Sequence, residues 1–246
     1  MLHVQQRSSG LVVLCSIDRP AKRNAVDQAT LDALTGAVDD AVRTGARALV
    51  LAGRNGVFSA GADLGGVEDV AFIDALRRAL LRLAEAPLVT LAAVDGPALG
   101  AGTQLAAFCD LRTATPESVF GIPAAKLGIA VDQSTIARVV ELCGGGAARA
   151  MLLAAETIDG VAAHTLGFVT RLGGVATALE WADSIAQLAP LTIVAHKLAL
   201  TAIRTHMNGS DDEVAASAMR RAWESEDLQE GRAAFLARRR PVFQGR

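Results

Sequence analysis

Gly100-Ala101-Gly102 follows the turn Asp95-Gly96-Pro97 and opens a short apolar helix. A helix start of this kind can hold a negatively charged oxygen. Its first amides have no partner inside the helix, and the helix dipole is positive at that end. Side chains this small let a ligand oxygen approach the backbone closely. The same residues equally suit a tightly packed buried helix that needs Gly and Ala for clearance. A second stretch, Phe58-Ser59-Ala60-Gly61-Ala62-Asp63-Leu64, follows the apolar run Arg47–Gly53. It reads as a strand, a loop and then a small-residue turn with free amides. Two such turns, each just after an apolar strand, would let two N–H groups converge on one carbonyl oxygen.

The elements that must carry these turns follow from the pattern of apolar residues. Leu11–Ile17, Arg47–Gly53 and Leu88–Val94 read as buried strands, and Asp110–Thr115 as a short one. Asp27–Arg43 reads as a helix, with Leu31, Leu34, Val38 and Val42 at three- and four-residue steps and Gly45 as its stop. Val67–Ala86 reads as one helix or two, with Leu76, Leu80, Leu81 and Leu83 on the buried side. Ala21–Asn24 is a basic loop and Phe120–Pro123 a turn. Helical pieces are expected at Asp132–Cys143, Ala147–Glu156, Gly160–His164 and Val175–Leu188, with Gly144–Gly146 a break and Leu166–Arg171 a strand. Pro190–Arg240 reads as almost wholly helical, Pro190 sitting in a first turn. No repeat of fixed period is visible.

Composition excludes several classes. With 24 basic and 26 acidic residues the formal charge is −2, so nothing points to a nucleic-acid partner. The absence of Tyr and the few aromatics argue against a base-stacking surface. No apolar run reaches about 18 residues, the length a membrane span needs. The N-terminal decapeptide is polar and lacks a signal-peptide core. Cys15, Cys109 and Cys143 lie scattered in apolar segments, which fits reduced core thiols in a cytoplasmic protein. His3, His164, His196 and His206 show no metal-ligand spacing. Half the residues are apolar, enough for a sizeable core.

The strings F-S-A-G-A-D-L, A-A-V-D-G-P-A-L-G-A-G-T-Q-L-A and F-G-I-P-A-A-K-L-G-I stand in that order along the chain. In them the sequence resembles the enoyl-CoA hydratase/isomerase (crotonase) superfamily, and the resemblance runs from Asp18-Arg19-Pro20 to Gln244-Gly245. It implies an α/β fold with a ββα spiral core over residues 1–189. It also implies a helical region over 190–246 that packs against neighbours in a homotrimer or a dimer of trimers. It implies an oxyanion hole formed by the amides of Ala62 and Ala101. The ligand would be a CoA thioester, with no tightly bound cofactor. Lys22 and Arg23 would border CoA, the backbone from Ala60 through Asp63 to Leu64 would cradle it, and Phe235 and Arg238 would reach it from a neighbouring subunit. For the last pair, ordinary helix-end packing is the competing reading.

Family hydratases transfer protons with two glutamates. The corresponding positions here hold Gln104 and Ala124. A carboxamide does not exchange a proton as a carboxylate does, and alanine offers nothing. General acid–base catalysis is worth on the order of 10²–10⁴-fold, so hydration should nearly vanish. Asp132 is the one substitute acid in view: dienoyl-CoA isomerases of the family carry an aspartate at this spacing. It equally suits the N-cap of the following helix, and the two roles can coexist. Lys126 reads as solvated. The pattern is most similar to a mycobacterial-type branch that lacks both glutamates, matched by Arg149–Glu156, Ala163-His164-Thr165 and Leu188–Leu191. That branch implies a protein that binds fatty acyl-CoA with little or no hydratase activity and hands it to fatty-acid synthesis proteins. The alternative is an active lyase, an enoyl-CoA hydratase, or an isomerase that uses Asp132 as its acid/base.

Overall fold

The computed structural model describes residues 1–63, 70–205, 217, 221 and 224–246. Its main sheet has six strands: β1 (Leu2–Arg7), β2 (Val12–Ile17), β3 (Ala48–Gly53), β4 (Val89–Val94), β6 (Leu111–Ala114) and β9 (Arg171–Leu172), neighbours in that order. β1 pairs antiparallel with β2, and every other pair is parallel. A second sheet joins β5 (Pro97–Leu99), β7 (Val119–Gly121) and β8 (Thr157–Asp159). The expected α/β class is the one observed.

β3 explains why the apolar runs are continuous. Leu49 and Leu51 face one core, while Ala48, Val50 and Ala52 face another, so the strand is covered on both sides, as parallel sheets require. Helices α1 (Gln28–Arg43) and α2 (Val70–Glu85) cover the first face and α6 (Val175–Ile185) the second. α1 buries Leu31, Leu34, Val38 and Ala41, and Asp27 caps it by accepting from the Thr30 amide at 2.9 Å. α3 (Ala101–Phe108) is buried along its whole length. Arg112, also buried, closes its C-terminal end by donating to the carbonyls of Cys109 at 2.7 Å and Ala106 at 3.2 Å. That burial pulls the guanidinium pKa down to about 10.

Several expectations change. Leu2–Arg7 is a strand, passed over because its outward face is polar and exposed, as an edge strand's is. The expected turn at Phe120 lies within β7, and a 3₁₀ turn at Pro123–Leu127 follows it. Of Leu166–Arg171 only Arg171 is in a strand. Gly167 turns left-handed (φ 87°) after α5 (Gly160–Thr165), and buried Phe168 packs against Phe120. α4 (Gln133–Leu153) is broken at Gly144 (φ 77°), as anticipated. α7 (Pro190–Thr205) does begin at the proline, and α8 (Glu226–Leu236) follows, but residues 237–246 are not helical. The helical reading between α7 and α8 falls mostly outside the described residues, as do residues 67–69 of the reading over Val67–Ala86. Among the described residues no single helix is long and apolar enough to cross a membrane.

Candidate functional site

The two small-residue turns meet. On the first, the Ala60 amide donates to the Arg23 carbonyl at 3.0 Å and the Asp63 amide to the Val26 carbonyl at 2.8 Å. Ser59 also bridges to Ala98 of the second turn. These bonds fix residues 59–63 on both sides and leave the Ala62 N–H pointing away from them. On the second, the Gly100 amide donates to the Gly121 carbonyl at 2.8 Å, and α3 starts at the next residue. Among the described residues neither the Ala62 nor the Ala101 N–H meets an acceptor.

Close approach explains the glycines. A Cβ on Gly61 would sit 2.9 Å from the Leu99 carbonyl oxygen and 3.8 Å from the Ala101 nitrogen, and its φ of 109° disfavours any side chain. A Cβ on Gly102 would fall 2.6 Å from the Ser59 carbonyl oxygen. Glycine at both positions lets the two turns that carry the free amides pack closely against each other.

They open onto a cavity of about 910 Å³. This is the scale of a site that takes up a sizeable small molecule. Gly61, Ala62, Gly100 and Ala101 form its floor, and Gln104 and Phe108 continue the same face of α3. The opposite wall is α2, through Phe72, Leu76, Leu80 and Leu81. Of the four leucines expected on its buried side, Leu80 and Leu83 are core, while Leu76 and Leu81 are half-exposed toward this space. Ala124 and Asp132 close the far side.

Lys22, Arg23, Ala60 and Asp63 also line the cavity, at one edge. The loop bearing the two cations turns through left-handed Arg23 (φ 49°) and Asn24 (φ 57°). Buried Asn24 pins that turn by donating to the Arg54 and Val57 carbonyls. Asp63 is held by Arg19 at 3.1 Å and by Lys22 at 3.6 Å. Nine of the residues singled out from the sequence therefore share this space. Arg238 is exposed and not among the lining residues. Leu64 and the side chain of Phe235 lie outside the described residues. Lys126 is exposed, as expected.

Asp132 is the N-cap of α4. Its Oδ1 accepts the Thr135 amide at 3.0 Å and the Ser134 hydroxyl, and its Oδ2 accepts the Thr135 hydroxyl at 2.7 Å. Burial alone would raise its pKa, but these hydrogen bonds outweigh burial and hold the carboxyl below 3.8. A carboxylate so held is a weak base. The same Thr135 Oγ1 lies 3.3 Å from Oε1 of Gln104, which is itself 6 % exposed. Sequence reasoning passed over Thr135. It also passed over Asp74 and Arg77, exposed residues of α2 that line the cavity. Their helical spacing from Leu81 was the available signal. Among the described residues no group of three or more His, Cys, Asp or Glu side chains could hold a metal ion.

A family model described as enoyl-CoA hydratase/isomerase matches residues 7–246. The chain is 38 % identical over 250 residues to a Mycobacterium tuberculosis protein named "Probable enoyl-CoA hydratase echA6", covering all of both. Among solved structures, an enoyl-CoA hydratase/carnithine racemase from Magnetospirillum magneticum superposes with a TM-score of 0.88 at 26 % identity, over 99 % of this chain and 96 % of that one. An enoyl-CoA hydratase from Bacillus anthracis superposes with a TM-score of 0.86 at 25 % identity, over 100 % and 99 %.

Proposed function

The chain belongs to the enoyl-CoA hydratase/isomerase family, and on that premise we propose that it binds fatty acyl and enoyl thioesters of CoA while hydrating them little or not at all. One observation carries the proposal. The two unengaged amides open onto a largely apolar cavity whose lining includes a carboxamide, Gln104, and a methyl group, Ala124, at the two positions where family hydratases carry glutamates. The thioester oxygen sits between the Ala62 and Ala101 amides, the acyl chain runs along α2, and Lys22 and Arg23 meet the anionic CoA moiety at the edge. Each amide contributes as a donor to a polarised carbonyl, a type of contact worth roughly 3 kcal/mol when charge develops on the oxygen. At these two positions no proton leaves or arrives, because neither Gln104 nor Ala124 can exchange one.

A second reading, turnover through Asp132, has in its favour that this carboxylate lines the cavity. Both its oxygens already accept hydrogen bonds, and its lowered pKa makes it a poor base. We extend the binding proposal to a homotrimer or a dimer of trimers, in which Phe235 and Arg238 reach CoA held by a neighbour. Exposed Arg238, which does not line its own chain's cavity, supports that placement.

The test is a titration of acyl-CoA alongside a spectrophotometric assay of crotonyl-CoA and longer enoyl-CoAs. Binding with negligible turnover is expected. Robust hydration that disappears in Asp132→Ala or Asp74→Asn would overturn the proposal in favour of an enzyme. Gln104→Glu combined with Ala124→Glu is expected to create measurable hydratase activity.

A further inference from the structure

We propose that Arg19 is a positioning residue of the thioester site: its guanidinium heads a chain of hydrogen bonds that runs through two peptide groups and ends at the Ala62 N–H. The inference rests on the thioester-binding reading above and concerns how one of its two donors is aimed and strengthened.

The chain can be followed bond by bond. Arg19 Nη1 donates to the Ala25 carbonyl. That carbonyl shares its peptide group with the Val26 N–H, and in a planar trans peptide the C=O and N–H point opposite ways. The Val26 N–H donates to the Gly61 carbonyl at 2.8 Å. The Gly61 carbonyl in turn shares its peptide group with the Ala62 N–H, at the wall of the cavity. Two rigid plates therefore stand between the cation and the proposed donor. The Ala62 N–H cannot tilt unless the Gly61 carbonyl pulls away from Val26.

The head of the chain is itself held. Arg19 Nη2 donates to Asp27 Oδ2 at 2.9 Å and to Asp63 Oδ2 at 3.1 Å. The Arg19 amide donates to Asn24 Oδ1 at 2.8 Å, and the Asn24 amide returns a bond to the Arg19 carbonyl at 3.0 Å. Asp27 follows Val26 and Asp63 follows Ala62, so one side chain grips both segments of the Val26–Ala62 bridge. Without it, two carboxylates that share one guanidinium nitrogen would repel each other across that bridge.

Two effects reach the Ala62 N–H. The first is aim. Ala101 is fixed as the first residue of α3, whereas Ala62 stands outside any helix or strand and depends on this bridge. A hydrogen bond weakens steeply once it bends. The second is strength. Hydrogen bonds in a chain polarise one another, and a charged donor at the head makes the last N–H a better donor. Arg19 does not line the cavity and acts only through the backbone.

The test compares wild type, Arg19→Met and Arg19→Lys in two measurements. Calorimetry gives the affinity for an acyl-CoA relative to an S-alkyl-CoA thioether of equal length, which lacks the carbonyl. Infrared spectroscopy of acyl-CoA isotope-labelled at the thioester carbonyl reads how far the bound C=O is polarised. In wild type the thioester is expected to bind more tightly, with its stretch below the solution value. Arg19→Met should cut that preference about fivefold and move the stretch part of the way back. Arg19→Lys keeps the charge but not the fork that spans a carbonyl and two carboxylates. It should lose about twofold, and it carries the test if Arg19→Met does not fold. An unchanged preference or stretch in a folded variant, or equal loss of thioester and thioether, overturns this inference alone. A wild type with neither preference nor shifted stretch overturns the thioester reading and this inference with it.

Discussion

Ala101→Pro isolates one of the two proposed donors with little disturbance elsewhere. Ala101 is the first residue of α3 and Gly100 precedes it as the cap. Proline is well tolerated at a first helical position, where its fixed φ matches and the lost N–H has no helical partner. The Ala101 N–H meets no acceptor among the described residues, so its removal breaks no internal hydrogen bond. The change in folding stability should be under about 1 kcal/mol. Binding is another matter. A neutral hydrogen bond contributes about 0.5–1.5 kcal/mol, and one left unmade in a dry site costs up to about 3 kcal/mol. At 1.4 kcal/mol per decade, affinity for an acyl-CoA should fall by roughly tenfold. An S-alkyl-CoA thioether of equal length lacks the carbonyl and serves as control: its affinity should not change. Calorimetry on both ligands, with a melting curve on each protein, gives the answer. Equal loss for thioester and thioether would mean that proline has reshaped the cavity. No loss for the thioester would mean that the Ala101 amide does not touch its oxygen. Either result refutes the argument.

Other consequences are equally open to measurement. Burial raises the pKa of all three thiols, Cys15 and Cys109 to about 12. Native protein at pH 8 should therefore resist iodoacetamide, with all three cysteines labelling only after denaturation. Lys197 of α7 is buried and donates to Asp110 at 2.7 Å and to the carbonyls of Leu88 at 2.9 Å and Leu83 at 3.3 Å. Lys197→Met should destabilise by about 3 kcal/mol in chemical denaturation, because Asp110 and those carbonyls lose their donor. Asp27 and Asp132 both have folded-state pKa values below 3.8, in each case because hydrogen bonds outweigh burial. Their contribution is present above the unfolded value and lost as pH falls through the folded one. Unfolding free energy should therefore drop on acidification below about pH 4, and Asp27→Asn with Asp132→Asn should flatten that drop.

What the sequence revealed of the site divides by how local its causes are. The turns at Ala62 and Ala101 were legible because they consist of residues whose smallness is itself the requirement. Gly61 and Gly102 leave no room for a side chain, and any sequence able to pack the two turns this closely must show that pattern. Gln104 and Ala124 were legible only through the resemblance to the family, whose motifs place a glutamate at each of those positions. Thr135 was not legible. Read along the chain, Asp132-Gln133-Ser134-Thr135 is a helix cap and nothing more, and the cap is real. Its contact with Gln104 Oε1, 31 residues earlier and 3.3 Å away, exists only through the packing of α3 against α4. The ion pair of Lys197 with Asp110 was hidden by the same gap. Helical periodicity says which face a residue lies on, not that a carboxylate and two carbonyls await it there. β1 was missed because this edge strand is polar and exposed along most of its length, which removes the one signal that marks a strand. The substituted acids were therefore visible from the chain, while the hydrogen-bonded unit standing in one of their places was not.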